Sequence, residues 1–430
     1  MSASAPATEQ QFTNDNPAPA ADSNNNQIPF NGPATNGSII AGYFANWKIY
    51  ERKYNVTDLA LQAEKLTHIL YAFAKIEENG QVVLSDAWAD VEQPLPADLA
   101  INGVDDVADQ GENVHGNFKQ LYLLKQKYRH LKISLSVGGA SWSTNFAAIA
   151  ADPAKRQTFV QSAVKLVADV GLDGLDIDWE FPNDDNEAAS YVQLLAEARA
   201  ALDAYQQQCQ QVDQPRFLLS VAVPCGPDNY RKLRLSEMQQ YVDIFYLMAY
   251  DYAGSWDNVC GHQAACYNCP LNTNQAVNDY LAAGVPSQKL VVGLPMYGRG
   301  FSNTDGPQCA YQGVPQGTWE AGLFDYNCLP KPGATEYTDM EKLASWSYDP
   351  NLREFITYDT PEVISAKCNY IKQNNLGGAM FWELSADRHP EDPRNLVNAV
   401  YNVLGDQTDT VSNHLQYPYS RYENVRSQMA

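Results

Sequence analysis

A chain of 430 residues with 45% apolar and 19% charged residues has the composition of a globular protein, large enough for one big domain or two ordinary ones. Its formal net charge of −22 argues against nucleic acid and anionic membrane surfaces as partners and suits a neutral or cationic ligand. No apolar run reaches the roughly 18 residues a membrane helix needs, so no membrane partner is expected; the N-terminus MSASAPATEQQF also lacks the basic and apolar regions of a signal peptide.

Residues 1–36 are rich in Ala, Asn, Pro, Ser, Thr and Gln without apolar periodicity, which predicts a disordered tail. From there to about residue 405, eight short apolar runs read as buried strands: Ile39 to Ala45, His68 to Ala74, Lys132 to Val137, Gly174 to Glu180, Phe217 to Val223, Asp243 to Tyr250, Leu290 to Met296 and Gly377 to Glu383. Helical spacing fills most of the gaps, over Phe118–Tyr128, Ala154–Val170, Glu187–Tyr205, Thr273–Ala283 and Pro361–Asn374. Eight strands alternating with helices predict an α/β fold, a (β/α)8 TIM barrel spanning residues 37–405. The gap from Met296 to Gly377 is too long for one crossover. Its first half is rich in Gly, Tyr and Cys, so a small α+β subdomain is expected at 302–372, between strands 7 and 8. Residues 406–430 read as a polar, unpatterned C-terminal tail whose tyrosines could dock on the body.

Eight cysteines allow disulfides without requiring them. Cys260, Cys266 and Cys269 crowd together with His262 between them. A zinc site is conceivable from the CxxC pair, but no second CxxC accompanies it, so a local disulfide is the favoured reading in an oxidising compartment. Asn36-Gly-Ser38 and Asn55-Val-Thr57 match the glycosylation sequon.

The most informative segment is Asp173-Gly-Leu-Asp-Ile-Asp-Trp-Glu180. On a strand, Asp176, Asp178 and Glu180 share one face, while Leu175, Ile177 and Trp179 cover the other. Carboxyls that close cannot all ionise freely, so at least one should stay protonated near neutral pH, as a general acid requires. Phe181-Pro182 ends the run and places Glu180 at the C-terminal rim, where barrel enzymes collect their catalytic groups. Asp173 has the wrong parity for the row and is expected to brace the start of the strand.

At this point the chain resembles the family 18 glycoside hydrolases, the chitinases, over about residues 39 to 404, and most closely the fungal-type endochitinases with an inserted subdomain. The family's DxxDxDxE matches at Asp173, Asp176, Asp178 and Glu180, its SxGG at Ser136, Gly138 and Gly139, and its MxYD at Met248, Tyr250 and Asp251. The closing GGAMFWELSAD, from Gly377 to Asp387, and the Tyr297-Gly-Arg299 segment are similar too. The resemblance implies endo-hydrolysis of β-1,4-linked N-acetylglucosamine polymers with retention, the substrate's own acetamido group serving as nucleophile; in this the family departs from the two-carboxylate scheme of most glycosidases. It implies Glu180 as acid and then base, Asp178 as stabiliser of the oxazolinium, Asp176 as its proton-sharing neighbour and Tyr250 as donor to the acetamido oxygen. Tyr43 and Ser136 would bond the inner carboxylate. Asp251, Tyr297 and Arg299 would contact sugar, with Phe73, Gly139, Trp142 and Met248 also among the substrate-binding residues. Trp382 would floor the distorted sugar, although its apolar run also allows a core role.

Trp47, Trp142 and Trp256 lie just past strand ends and could stack on outer sugars or pack under loops. Glu320, in the insertion, is left open. The resemblance implies chitin and chitooligosaccharides as partners, no cofactor and no metal. It also implies a monomer and a place outside the cell or in its wall, while the N-terminus leaves a cytoplasmic one open. Two competing readings are a chitooligosaccharide-binding lectin on the same barrel, which typically lacks the acid at Glu180, and an endo-N-acetylglucosaminidase acting on N-glycans.

Overall fold

The computed structural model describes residues 34–105 and 111–429. Most of the expected N-terminal tail, residues 1–33, therefore lies outside the described residues. The strands in chain order are β1 (Ile39–Ala45), β2 (His68–Ile76), β3 (Val82–Leu84), β4 (Lys132–Gly138), β5 (Gly174–Asp178), β6 (Leu218–Pro224), β7 (Ile244–Met248), β8 (Leu290–Pro295), β9 (Tyr297–Phe301), β10 (Leu323–Asp325), β11 (Thr335–Asp339), β12 (Ala344–Asp349), β13 (Glu354–Thr357) and β14 (Gly378–Trp382). Eight of them run parallel in the order β1-β2-β4-β5-β6-β7-β8-β14, and β14 pairs back onto β1. The barrel is closed, as the eight apolar runs predict. β3 is an antiparallel addition to β2.

The crossover helices start where their caps dictate. Asp152 accepts from the N–H groups of Ala154 and Lys155 ahead of Pro153–Val170, and Gly171, at φ +78°, closes that helix. Asp184 does the same for Asp185–Gln208, and Thr360 with Pro361 for Pro361–Gln373. The outward faces of the strands pack against these helices in one continuous core, to which Leu175, Ile177 and Trp179 all belong.

The unit inserted between β8 and β14 is a five-stranded antiparallel sheet, ordered β10-β9-β13-β12-β11. It begins at Tyr297 and its last strand ends at Thr357. This differs from the expected α+β subdomain at 302–372. The helix Pro361–Gln373 packs on Leu396–Leu404 and β14, so it is a crossover helix of the barrel. The Tyr-Gly-Arg segment lies in β9, the second strand of the inserted sheet, paired with β10 on one side and β13 on the other.

Residues 406–429 pack across the N-terminal end of the barrel. Asp409, His414, Tyr417, Tyr422 and Val425 are buried. Lys132 Nζ meets Asp409 at 2.8 Å, and Asp173 accepts from His414 N–H at 2.8 Å and faces Lys125 Nζ at 2.9 Å. Asp173 thus ties β5 to this segment and to the helix Gly116–Lys127. At the other sequence-level features, all eight cysteines are free thiols, and His262 packs on Trp346 with ring centroids 5.1 Å apart. Among the described residues no group of His, Cys, Asp or Glu is placed to hold a metal ion. Asn36 bonds Thr410 through its side chain, and Asn55 caps a short helix. No described helix is long and apolar enough to cross a membrane.

Candidate active site

The row of carboxyls rises along the inside of β5. Asp176 is fully buried and accepts three hydroxyl hydrogen bonds: from Ser136 at 2.7 Å and Tyr43 at 3.0 Å on one oxygen, and from Ser220 at 2.7 Å on the other. Burial raises its pKa, and the three hydroxyls pull it back. Asp178 is buried directly above, and its Oδ1 has no protein hydrogen-bond partner among the described residues. Burial, and then the charges of Glu180 and Asp176, push its pKa well above the usual carboxylate range.

Glu180 lies at the rim, only partly covered. Burial, reinforced by the charge of Asp251, pushes its pKa up to about 7, against a hydrogen bond from the Ala140 backbone. Its backbone is pinned by Ser143, whose Oγ accepts from Glu180 N–H at 2.9 Å and reaches the Gly139 carbonyl at 3.0 Å. Gly139 N–H in turn donates to Asp178 O at 2.8 Å. The two glycines of SxGG are required sterically. Both have positive φ; a Cβ would lie 2.3 Å from Asp178 O at Gly138 and 2.6 Å from the Phe73 ring at Gly139. Behind the row, Trp179 stacks on Phe146 at 5.3 Å and meets Tyr191 edge-on at 5.2 Å.

Beyond β7, Tyr250 turns its ring edge-on to Tyr297, 6.2 Å between centroids. Burial and the charges of Asp178, Asp251 and Glu180 raise its hydroxyl pKa, keeping it a donor. Asp251 sits in the left-handed region at φ +59° and accepts from Arg299 Nε at 2.7 Å and from the Tyr297 hydroxyl. The opposite wall is aromatic: Trp47 stacks on Phe73 at 6.0 Å, Phe73 on Trp382 at 5.8 Å, and Trp382 meets Tyr43 edge-on at 5.0 Å.

These groups enclose a chamber of about 550 Å³ that includes Phe73, Trp142, Asp178, Glu180, Met248 and Tyr250. A second chamber of about 230 Å³ shares Trp47, Asp251 and Trp382 with the first and continues past them to Arg299, Trp319 and Glu320. Together they form one cleft, lined on one side by the inserted sheet. Trp142 and Trp47 line it, while Trp256 carries the Arg299 guanidinium 4.7 Å above its ring. Ser136 and Asp176 lie beneath the lining, and Gly139 packs against Phe73.

Three groups lay outside the sequence-based set. Ser220 is the third hydroxyl on Asp176, and Ser143 holds the backbone of Glu180. Arg52 forms ion pairs with Asp325 and with Glu383, the latter at 2.6 Å, beside the second chamber. Ser220 carries a readable signal, being a lone polar residue inside LLSVAV.

Comparison with known proteins agrees with this architecture. Residues 39–387 match the family described as Glycosyl hydrolases family 18. Endochitinase 1 of Metarhizium robertsii is 45% identical over 93% of this chain and 92% of its own length. Chitinase 1 of Aphanocladium album is 44% identical over 91% of each. Among solved structures, the catalytic domain of the psychrophilic chitinase B from Arthrobacter TAD20 superposes with a TM-score of 0.79 at 31% identity, covering 87% of this chain and 97% of that one. With its carboxylate row, its barrel and a family match over most of its length, this chain belongs to the family 18 glycosyl hydrolases.

Proposed function

We propose that the protein is a chitinase that cleaves β-1,4-linked N-acetylglucosamine chains internally, with retention, through the substrate's own acetamido group. The observation that carries this reading is the graded row of acids. Glu180 at the rim has a pKa near 7, above two buried carboxyls whose pKa values are also raised. A carboxyl half-protonated at neutral pH can protonate the leaving glycosidic oxygen and then take a proton from water.

In this reading Asp178, whose buried Oδ1 has no donor among the described residues, receives the acetamido N–H and offsets the positive charge of the oxazolinium. Tyr250 donates to the acetamido oxygen and fixes it beneath the anomeric carbon. Such positioning is worth up to about 7–11 kcal/mol in well-oriented intramolecular reactions. Asp176 shares a proton with Asp178 as charge moves along the row. Trp382 supports the distorted sugar, and Trp47, Trp142 and Arg299 hold its neighbours. Internal cleavage is favoured because the cleft continues on both sides of Trp382 and because the fungal relative is named an endochitinase. The reading includes action as a monomer outside the cell, where a polymer of this kind is met.

The test is hydrolysis of the N-acetylglucosamine hexasaccharide, with product lengths and anomers followed in time. Mixed internal products with initial β-anomers are expected. Dimers alone would replace the endo reading with an exo one, and binding without cleavage would mean a lectin. Release of sugar from a high-mannose glycoprotein would favour the N-glycan reading.

A further inference from the structure

Asn46 follows β1 directly and is 2% exposed, yet it lines the chamber that holds Asp178 and Glu180. Its amide nitrogen donates twice, to Ser85 Oγ at 3.0 Å and to Asp90 Oδ1 at 2.9 Å. Asp90 is fully buried and also accepts from the Tyr71 hydroxyl, whose oxygen accepts from Asn117 Nδ2 at 3.0 Å. The carboxylate is thus held from β2 and from the helix Gly116–Lys127. Asp90 Oδ1 takes both donors, and although burial pushes the Asp90 pKa up to about 7, its proton would sit on Oδ2, which no described residue meets. Oδ1 therefore accepts in either protonation state and fixes which end of the Asn46 amide turns toward it. With both N–H groups used, the remaining polar atom of Asn46 is its carbonyl oxygen. No described residue donates to that oxygen, and it is not among the buried atoms lacking a partner, so it opens to the chamber.

We propose that Asn46 is a specificity-determining residue whose carbonyl oxygen accepts a hydroxyl or amide N–H from the N-acetylhexosamine unit in this chamber, and that Asp90 is the positioning residue that aims it. The proposal rests on the reading of the cleft as a chitin site. It differs from a purely structural role, in which Asn46 would only pin the 85–92 segment to the end of β1. An acceptor held rigid and left open selects sugars that present a donor at that point, because a bound sugar lacking one leaves the buried oxygen unpaired.

The test compares Asn46→Ala, Asp90→Ala, Asp90→Asn and the Asn46→Ala/Asp90→Ala double variant. KM, kcat and melting temperature are measured with the N-acetylglucosamine hexasaccharide. Asn46→Ala should raise KM about 5- to 10-fold, the worth of one neutral hydrogen bond, with kcat within about threefold. Asp90→Asn keeps an acceptor oxygen and should stay near the parent KM. Asp90→Ala should match Asn46→Ala, and the double variant should be no worse than either, because both remove one interaction. A KM for Asn46→Ala within twofold of the parent would overturn the proposal. So would KM penalties that multiply in the double variant. If Asp90→Ala does not fold, Asn46→Ala and Asp90→Asn still decide the matter. If the parent protein binds the hexasaccharide without cleaving it, the hydrolase reading fails, and the Kd of the same variants then tests Asn46 on its own.

Discussion

Replacing Glu180 by Gln should make the protein more stable, and only at high pH. The Glu180 carboxyl has a pKa of about 7 in the folded chain against 4.5 when free, and burial is the main cause. Below pH 4.5 the carboxyl is protonated folded and unfolded, so its titration costs nothing. Between 4.5 and 7 the folded state holds the proton more tightly than the unfolded one, so stability falls as pH rises. Above 7 the full cost of a buried charge is present. A shift of this size corresponds to about 3 kcal/mol, treated as an upper value because Glu180 keeps some contact with solvent. Gln never ionises and escapes the cost. Scaled to a chain of this length, each kcal/mol moves the melting temperature by about 1 °C, so the variant should gain up to roughly 3 °C at pH 8 and nothing at pH 4. Asp176 and Asp90, also raised by burial, are common to both proteins and cancel in the difference. Asp178 is held up partly by Glu180, so its relief adds in the same direction. The assay is scanning calorimetry of both proteins from pH 4 to 9. A gap that is flat with pH, or that narrows as pH rises, would refute the assignment of a buried, raised carboxyl at Glu180.

Asp251→Asn removes the leading charge behind the raised Glu180 and frees Arg299, so the alkaline limb of kcat/KM should move down by less than about one pH unit, burial being the larger cause. A pH-rate profile checks this, and an unmoved limb would count against Asp251. Ser143→Ala leaves Glu180 N–H without its acceptor and should lower kcat about tenfold with little change in KM; steady-state kinetics with an oligosaccharide would show it. Lys125→Met leaves the buried carboxylate of Asp173 with backbone donors but without its ion-pair partner, and also removes bonds to Gly171 O and the Tyr417 hydroxyl. A loss of about 3–5 kcal/mol is expected in urea unfolding, and a loss under 1 would mean that the C-terminal segment is not anchored there.

The barrel was legible because its strands are buried on both faces and its helices on one. Continuous apolar runs of six or seven residues can hardly be anything but parallel strands when helical spacing separates them. The inserted sheet was less legible at its edges. Pro361–Gln373 follows β13 after a few residues, and sequence adjacency gives no hint that it packs on β14 and Leu396–Leu404. The C-terminal segment was hardest to read. His414, Tyr417, Tyr422 and Val425 are buried without regular spacing, because an irregular segment follows the grooves of a surface and not the face of a helix or strand.

In the site, what repeats with a strand's own period could be read, and what depends on registers between strands could not. Asp176, Asp178 and Glu180 announce themselves two residues apart. Ser220 gives only one polar residue in an apolar run. Register supplies the rest: Asp176 pairs with Ser136 on one side and with Ser220 on the other, so the three occupy one layer of the barrel. A hydroxyl at inward parity in the strand after the carboxylate row is therefore a searchable signature once the layers are aligned. Ser143 has no such signature. Its acceptor role for Glu180 N–H depends on where a loop after β4 folds back, and backbone donors leave no mark on residue type. The residues that hold the rim carboxyl in place are for this reason harder to find from sequence than the carboxyl itself.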